Sequence, residues 1–290
     1  MLNSQSVALE HYSRLDVQRE IADYCSGRWV ALHFLDSLGR LVFRRYLMGK
    51  PITVGGADDL NSLINKIGGV RSIYGSANKY GLIQRVEDVF NFSNVRLCTP
   101  TWDIDGQISN WKKTLAVARE LVSFLESEGV QKSLYIKWSG NGCHIHIHEE
   151  AFSDEALSKA HPLDLAYATV EYVKTKVTQK ILGDPGTEGV AIENRMDPGR
   201  VFTCPLSLHR HLDAVCICLK PNQLDNFSLE WIHPSTFRHN GEWRNFKKGE
   251  ADQIGLKAYN AVGGYPNQRL SRRRRGKRLD EQIQEWLLKH

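Results

Sequence analysis

Residues 95–105 read VRLCTPTWDID, and residues 133–148 read SLYIKWSGNGCHIHIH. Both begin as apolar, β-prone runs. The first ends on Asp103 and Asp105, and the second crosses a glycine-rich turn into His144, His146 and His148. A strand alternates its side chains between two faces, so each polar set shares one face and Ile104, Ile145 and Ile147 point the other way. Between the two runs, residues 110–128 place Trp111, Leu115, Ala118, Val122 and Leu125 on one helical face and stop at Gly129.

Working outward, residues 5–25 have the apolar spacing of one helix. Residues 28–47 read as two strands joined by a turn at 36–39, and residues 57–69 as a short helix with acids in its first turn and glycine at its end. Residues 153–182 read as helical, and VAIEN, RVFTCP and AVCICL (190–194, 200–205 and 214–219) as strands. Strand–helix–strand followed by hairpin-like strands predicts an α/β or α+β fold with mixed, partly antiparallel β-sheets flanked by helices. No GxxxxGK[ST] or GxGxxG stands at a strand–helix junction, which leaves P-loop and Rossmann readings without support.

The chain has 290 residues, 41% hydrophobic and 24% charged, enough apolar material for a sizeable core. No apolar run reaches the roughly 18 residues of a membrane span. The N-terminal MLNSQSVALEHYSRLD lacks the apolar stretch of a signal peptide, so a cytoplasmic location is expected. Six cysteines are scattered with no CxxC pair, so neither a disulfide framework nor a structural zinc is expected.

Three segments carry candidate chemistry. Asp103 and Asp105 lie about 6–7 Å apart along one strand face. Two hard oxygen donors so placed suit Mg²⁺ or Mn²⁺, with substrate phosphates completing the shell. The turn Ser139-Gly140-Asn141-Gly142 lets backbone amides approach phosphate oxygens, and His144 adds a donor. His144, His146 and His148 on one face are, alternatively, a ligand set for a zinc hydrolase. The third segment, residues 200–210, reads RVFTCPLSLHR and offers Arg200, Ser207, His209 and Arg210, with Glu193 and Asp197 just upstream as candidates for a third acid.

In that order, acid pair, helix, Ser-Gly turn with histidine, acid and Ser-Leu-His, the chain resembles the archaeo-eukaryotic primase superfamily. That superfamily comprises primase catalytic small subunits, primase-polymerases and the polymerase domains of bacterial end-joining ligases. The stretch Tyr74-Gly75-Ser76-Ala77-Asn78-Lys79-Tyr80 is similar to the Tyr-x-Ser-Ala-x-x-Tyr of small primase subunits, and the resemblance spans about residues 70–215. It implies a catalytic domain over residues 1–265 that performs template-dependent nucleotidyl transfer, as a DNA primase or primase-polymerase. The alternatives are a gap-filling repair polymerase and a catalytically inactive nucleic-acid-binding subunit. Two Mg²⁺ or Mn²⁺ ions are implied on Asp103, Asp105 and Glu193, with Asp197 as the other candidate. The nucleotide would lie on Ser139, Gly140, Gly142, His144, Arg200, Ser207, His209 and Arg210. Implied partners are a single-stranded DNA template, an NTP or dNTP, and a large primase subunit or another replication or repair protein, in a nucleoid-associated setting. Small primase subunits hold Lys or Arg six residues before the late histidine, where this chain has Thr203, and the cysteine-rich zinc knuckle of many of them is missing.

The net charge of +5 is concentrated in residues 269–278, RLSRRRRGKR, with seven basic residues and no acid, while residues 1–268 sum to zero. Arg272, Arg273, Arg274 and Arg275 are therefore candidate nucleic-acid contacts, and residues 279–290 read as a short amphipathic helix with Ile283, Trp286 and Leu287 on one side. Ending the chain at residue 265 is expected to weaken single-stranded DNA binding and to flatten its salt dependence, each lost phosphate contact removing close to one unit of log–log slope. Affinity measured against salt for the full and shortened chains checks this, and identical slopes would take the tail out of the nucleic-acid site.

Overall fold

The computed structural model describes residues 4–266. In chain order it contains α1 (Ser4–Ser13), α2 (Leu15–Cys25), β1 (Arg28–Leu35), β2 (Leu41–Arg44), β3 (Tyr46–Leu47), β4 (Lys50–Pro51), α3 (Ala57–Ile67), β5 (Val70–Tyr80), β6 (Val95–Cys98) and β7 (Thr101–Asp105). There follow α4 (Trp111–Ser127), β8 (Leu134–Trp138), β9 (Cys143–Ile147), α5 (Asp154–Lys159), α6 (Pro162–Ile181), β10 (Ala191–Asn194), β11 (Val201–Thr203), β12 (Ile217–Leu219) and α7 (Asp252–Val262). The basic block and the segment after it, including Arg272, Arg273, Arg274 and Arg275, lie outside the described residues.

Three expected elements are divided. The helix over 5–25 breaks at Arg14, which is extended at φ −74°, ψ 126°. The helix over 153–182 breaks before Pro162, which has no N–H to continue one helix but suits the first position of the next, where the His161 side chain accepts from the Leu163 amide. The run 95–105 divides at Thr99-Pro100, and its halves join different sheets: β6 pairs with β5, β7 with β9 and β10.

The first sheet runs β11-β5-β1-β2, with β6 also on β5, and the second runs β10-β7-β9-β8-β12. Every strand pairing among the described residues is antiparallel. In the second sheet, Trp102, Ile145, Ile136 and Leu219 align across four strands, all buried. Trp102 donates its indole N–H to the Val170 carbonyl of α6, which fixes this as the helix-packed face. The opposite face carries the registered row Glu193, Asp103, His144, Lys137 and Cys218. One hydrophobic cluster extends from Ala8 to Ile254. Among the described residues, no helix is long and apolar enough to cross a membrane.

The sheets are joined by charge. Arg28 of β1 is 1% exposed and meets Glu149, 2% exposed and just after β9, at 2.7 Å. Arg28 also donates to the carbonyls of Tyr24, Ser76 and Ala77 and to the Thr99 hydroxyl, which in turn donates to Glu149. Burial by itself would raise the Glu149 pKa, but Arg28 first, then His148 and Lys79, hold it far below the usual carboxylate range. The unfolded chain therefore takes up a proton near pH 4.3 that the folded chain refuses. This contribution to stability is complete above that pH and is lost as pH falls below it. Glu149→Gln leaves the guanidinium buried without its counter-charge and is expected to cost about 3–5 kcal/mol. It should also remove part of the acid-side loss of stability. Chemical denaturation of both proteins between pH 3 and pH 7 measures the two effects together.

Candidate active site

The site begins with register. Asp103 of β7 is paired with Glu193 of β10 on one side and with His144 of β9 on the other. Asp105 lies two residues along on the same face. One ligand oxygen from each of Asp103, Asp105 and Glu193 comes within 4.8 Å of the others, and no other group of three acids, histidines or cysteines among the described residues is so arranged. His144 Nε2 stands 3.3 Å from Asp103 Oδ1, and its Nδ1 is buried without a partner. Arg195, two residues beyond Glu193, forms ion pairs with Glu193 and, at 3.7 Å, with Asp105.

The electrostatics divide the aspartates. Burial would raise Asp103, but the charges of His144, Arg195 and Arg200 and a hydrogen bond from His144 bring it below its ordinary value. Asp105 is raised, by burial and then by the like charges of Asp103 and Glu193. Crowded anionic oxygens of this kind fit a hard divalent cation. Oxygens sharing one Mg²⁺ at 2.0–2.1 Å lie at most about 4.2 Å apart, so small side-chain rotations would close the set.

Asp103 and Asp105 line a cleft of about 300 Å³ with Tyr74, Gly106, Ser139, Asn141, Gly142, His144, Arg200, Val201, Phe202, Thr203, His209 and Arg210, and Glu193 stands beside the two aspartates outside that lining. Sequence reasoning reached most of these positions. It missed Arg195, although the two-residue spacing from Glu193 carries the signal, and it gave no site role to Tyr74 or Phe202. Ser207 does not reach the cleft. It is fully buried, and its Oγ accepts from the Ile73 amide at 2.7 Å and lies 3.2 Å from the Tyr12 hydroxyl. Asp197 stands outside the acid cluster: its carboxylate accepts from the Gly199 amide and pairs with Arg200 at 3.0 Å. His146 and His148 do not form a ligand set with His144. His146 is buried against Thr101 and stacked on Tyr135, while His148 caps the turn after β9.

His209 is lowered to about 4 by burial and by the charges of Arg210, His211 and Arg71, so it is neutral at pH 7. Its Nδ1 accepts from the amides of His211 and Leu212 at 3.2 and 3.1 Å. The ring proton therefore sits on Nε2, a donor available to the cleft. The 139–142 turn closes with the Ser139 amide donating to the Gly142 carbonyl at 3.1 Å. Gly140 has φ +123°, and a Cβ there would meet the His209 ring at 3.1 Å. Trp138 holds the Gly140 carbonyl with its indole N–H.

No family model matches the sequence, and no curated protein matches it. The structure does find a likeness. The chain shares its fold with a polymerase domain. That domain belongs to Ligase D of Mycobacterium tuberculosis, solved in complex with DNA; the TM-score is 0.55 at 13% identity, over 90% of each chain. The likeness is one of fold, of the α/β class with antiparallel sheets that the sequence predicts.

The close approach of the turn to β7 is testable. A Cβ on Gly142 would lie 2.3 Å from the Ile104 carbonyl oxygen, between the two aspartates. Gly142→Ala must displace a strand backbone and is expected to cost about 1–3 kcal/mol. Gly241→Ala, whose Cβ meets only an arginine side chain at 3.4 Å, should stay within about 0.5 kcal/mol of the parent. Thermal and urea unfolding of the two variants make the comparison.

Proposed function

We propose that this chain is a metal-dependent nucleotidyltransferase acting on a nucleic-acid template, in the manner of a DNA primase or primase-polymerase. The observation that carries the reading is the convergence of Asp103, Asp105 and Glu193 at the edge of a cleft that Arg200, Arg210, His144 and His209 also line. The polymerase-type fold supports it. Residues 1–265 would form the catalytic unit, and residues 266–290 an arm for DNA or for a replication or repair partner.

Asp103, Asp105 and Glu193 would hold two Mg²⁺ or Mn²⁺ ions, which neutralise phosphate charge and acidify an attacking hydroxyl. The chain's own residues bind and orient. His209 Nε2–H donates to a phosphate oxygen, and the guanidinium groups of Arg200 and Arg210 offset the remaining charge of the triphosphate of an NTP or dNTP. The 139–142 turn bounds the cleft closely, so that small backbone, not bulky side chain, faces the phosphates. His144 holds Asp103 in the orientation that keeps its carboxylate toward the cluster. Such a site accelerates transfer through positioning and fixed electrostatics more than through proton shuttling by protein groups.

Asp103→Asn keeps the shape and removes one charge. Nucleotide incorporation on a primed single-stranded template with Mn²⁺ is expected to fall about 100- to 1,000-fold. Direct Mn²⁺ binding should weaken in parallel, and the unfolding temperature should not fall. Products from an unprimed template would identify a primase, and extension of an added primer alone would identify a gap-filling polymerase. Full incorporation by Asp103→Asn would overturn the metal assignment.

A further inference from the structure

One residue of the cleft continues into a strip of rings outside it. Tyr74 of β5 lies beside His33 of β1, with ring centroids 5.4 Å apart, and His33 lies 4.9 Å from Phe43 of β2. Phe43 and Tyr74 are 6.2 Å apart. His33 and Phe43 are a registered cross-strand pair, and Tyr74 pairs with Ala31, two residues from His33 on the same face. The rings thus cross the first sheet from the cleft wall to the β2 edge. Their planes meet at 75°, 50° and 67°, so none is consumed in a parallel stack on its neighbour. The Tyr74 hydroxyl lies 3.0 Å from His33 Nδ1, which fixes both rings. His33 is lowered to about 4, by burial and then by the positive charge of Arg210 and His211, so it is a neutral ring at pH 7. Phe43, at the outer end, is 45% exposed.

We propose that Tyr74, His33 and Phe43 form a stacking track for a single-stranded nucleic-acid segment leading into the cleft. The inference rests on the nucleotidyltransferase reading and names the path its template would take. Three observations select this occupant. The exposed Phe43 ring at the sheet edge offers an apolar face to a flat aromatic base, and such stacking is tolerant of sequence. At the cleft end, the guanidinium of Arg210 supplies positive charge for a phosphate beside the same rings. Tyr74 lines the cleft and Phe43 does not, so a ligand touching both must extend outside the cleft.

Phe43→Ala and Phe43→Trp test the track, since an exposed ring at a sheet edge can be exchanged without opening the core. Binding of a labelled single-stranded oligonucleotide is followed by anisotropy across a salt series, and binding of a dNTP with Mn²⁺ is measured separately. Phe43→Ala should weaken the oligonucleotide about 5- to 150-fold, the effect of one lost base–ring stack. The salt slope should not change, because no cation is removed. Binding of the dNTP and of Mn²⁺ should match the parent, and Phe43→Trp should hold the oligonucleotide at least as well as the parent. Normal oligonucleotide affinity in Phe43→Ala, in a parent that incorporates nucleotides, overturns the track and leaves the proposed function standing. An equal loss of dNTP affinity moves Phe43 into the nucleotide site and also overturns it. A parent that binds no single-stranded DNA at any salt overturns both readings.

Discussion

A guanidinium taken fully out of water, on the first sheet, meets a carboxylate taken fully out of water just past the second. Arg28 and Glu149 are worth keeping together because either one alone is costly to bury, and the hydrogen bonds to Tyr24, Ser76, Ala77 and Thr99 leave little of the guanidinium unsatisfied. The pair therefore acts as a positional constraint between sheets more than as a source of net stability. The cleft lies along the same junction: Asp103, Asp105 and His144 come from the second sheet, and Tyr74, Val201, Phe202 and Thr203 from the first. A shift of one sheet against the other would separate these walls.

The row Glu193, Asp103, His144 and Lys137 gives that junction a charge gradient. Its outer members are acids near solvent; its inner member, Lys137, is fully buried. Lys137 Nζ donates to the Tyr24 hydroxyl and the Thr203 carbonyl, both at 2.9 Å. Burial pushes the Tyr24 phenol up and the Cys216 thiol up to about 12, so both are neutral at pH 7 and the ammonium is balanced by dipoles. The cation sits behind Thr203, whose carbonyl it holds. The interior thus stays positive beneath the cleft while its mouth gathers carboxylates.

Much of this was legible in the sequence wherever a pattern was local. Alternation in TWDID and CHIHI fixed which residues share a face, and the 111–125 spacing fixed α4. What failed depended on partners far along the chain. Ser207 has the right neighbours in sequence for a phosphate contact, but the Ile73 amide, 134 residues away, takes its hydroxyl. His146 shares the face of His144, yet burial and Thr101 claim it. The breaks at Arg14 and Pro162 were signalled more weakly by side-chain pattern than the helices they divide, because apolar periodicity continues across them. The sequence favours Glu193 over Asp197 as the third acid, and the pairing of β10 with β7 sets Glu193 opposite Asp103, since register, not spacing, decides which carboxylate faces it.

That register has its own support. β10 is a four-residue edge strand, short enough to slip, and a slip of one residue would turn Glu193 to the opposite face. Asn194, next in line, points to that opposite face and donates to the Tyr167 carbonyl at 3.2 Å and to Glu171 Oε2 at 3.0 Å, both on α6. The same helix holds Trp102, the β7 residue paired with Asn194, through the Val170 carbonyl. Neighbouring residues on two strands are thus tied to one rigid helix, and the acids one step away on the other face are set opposite each other as a consequence. The 20 residues of α6 contribute no side chain to the cleft, but they are what makes Glu193 a partner of Asp103.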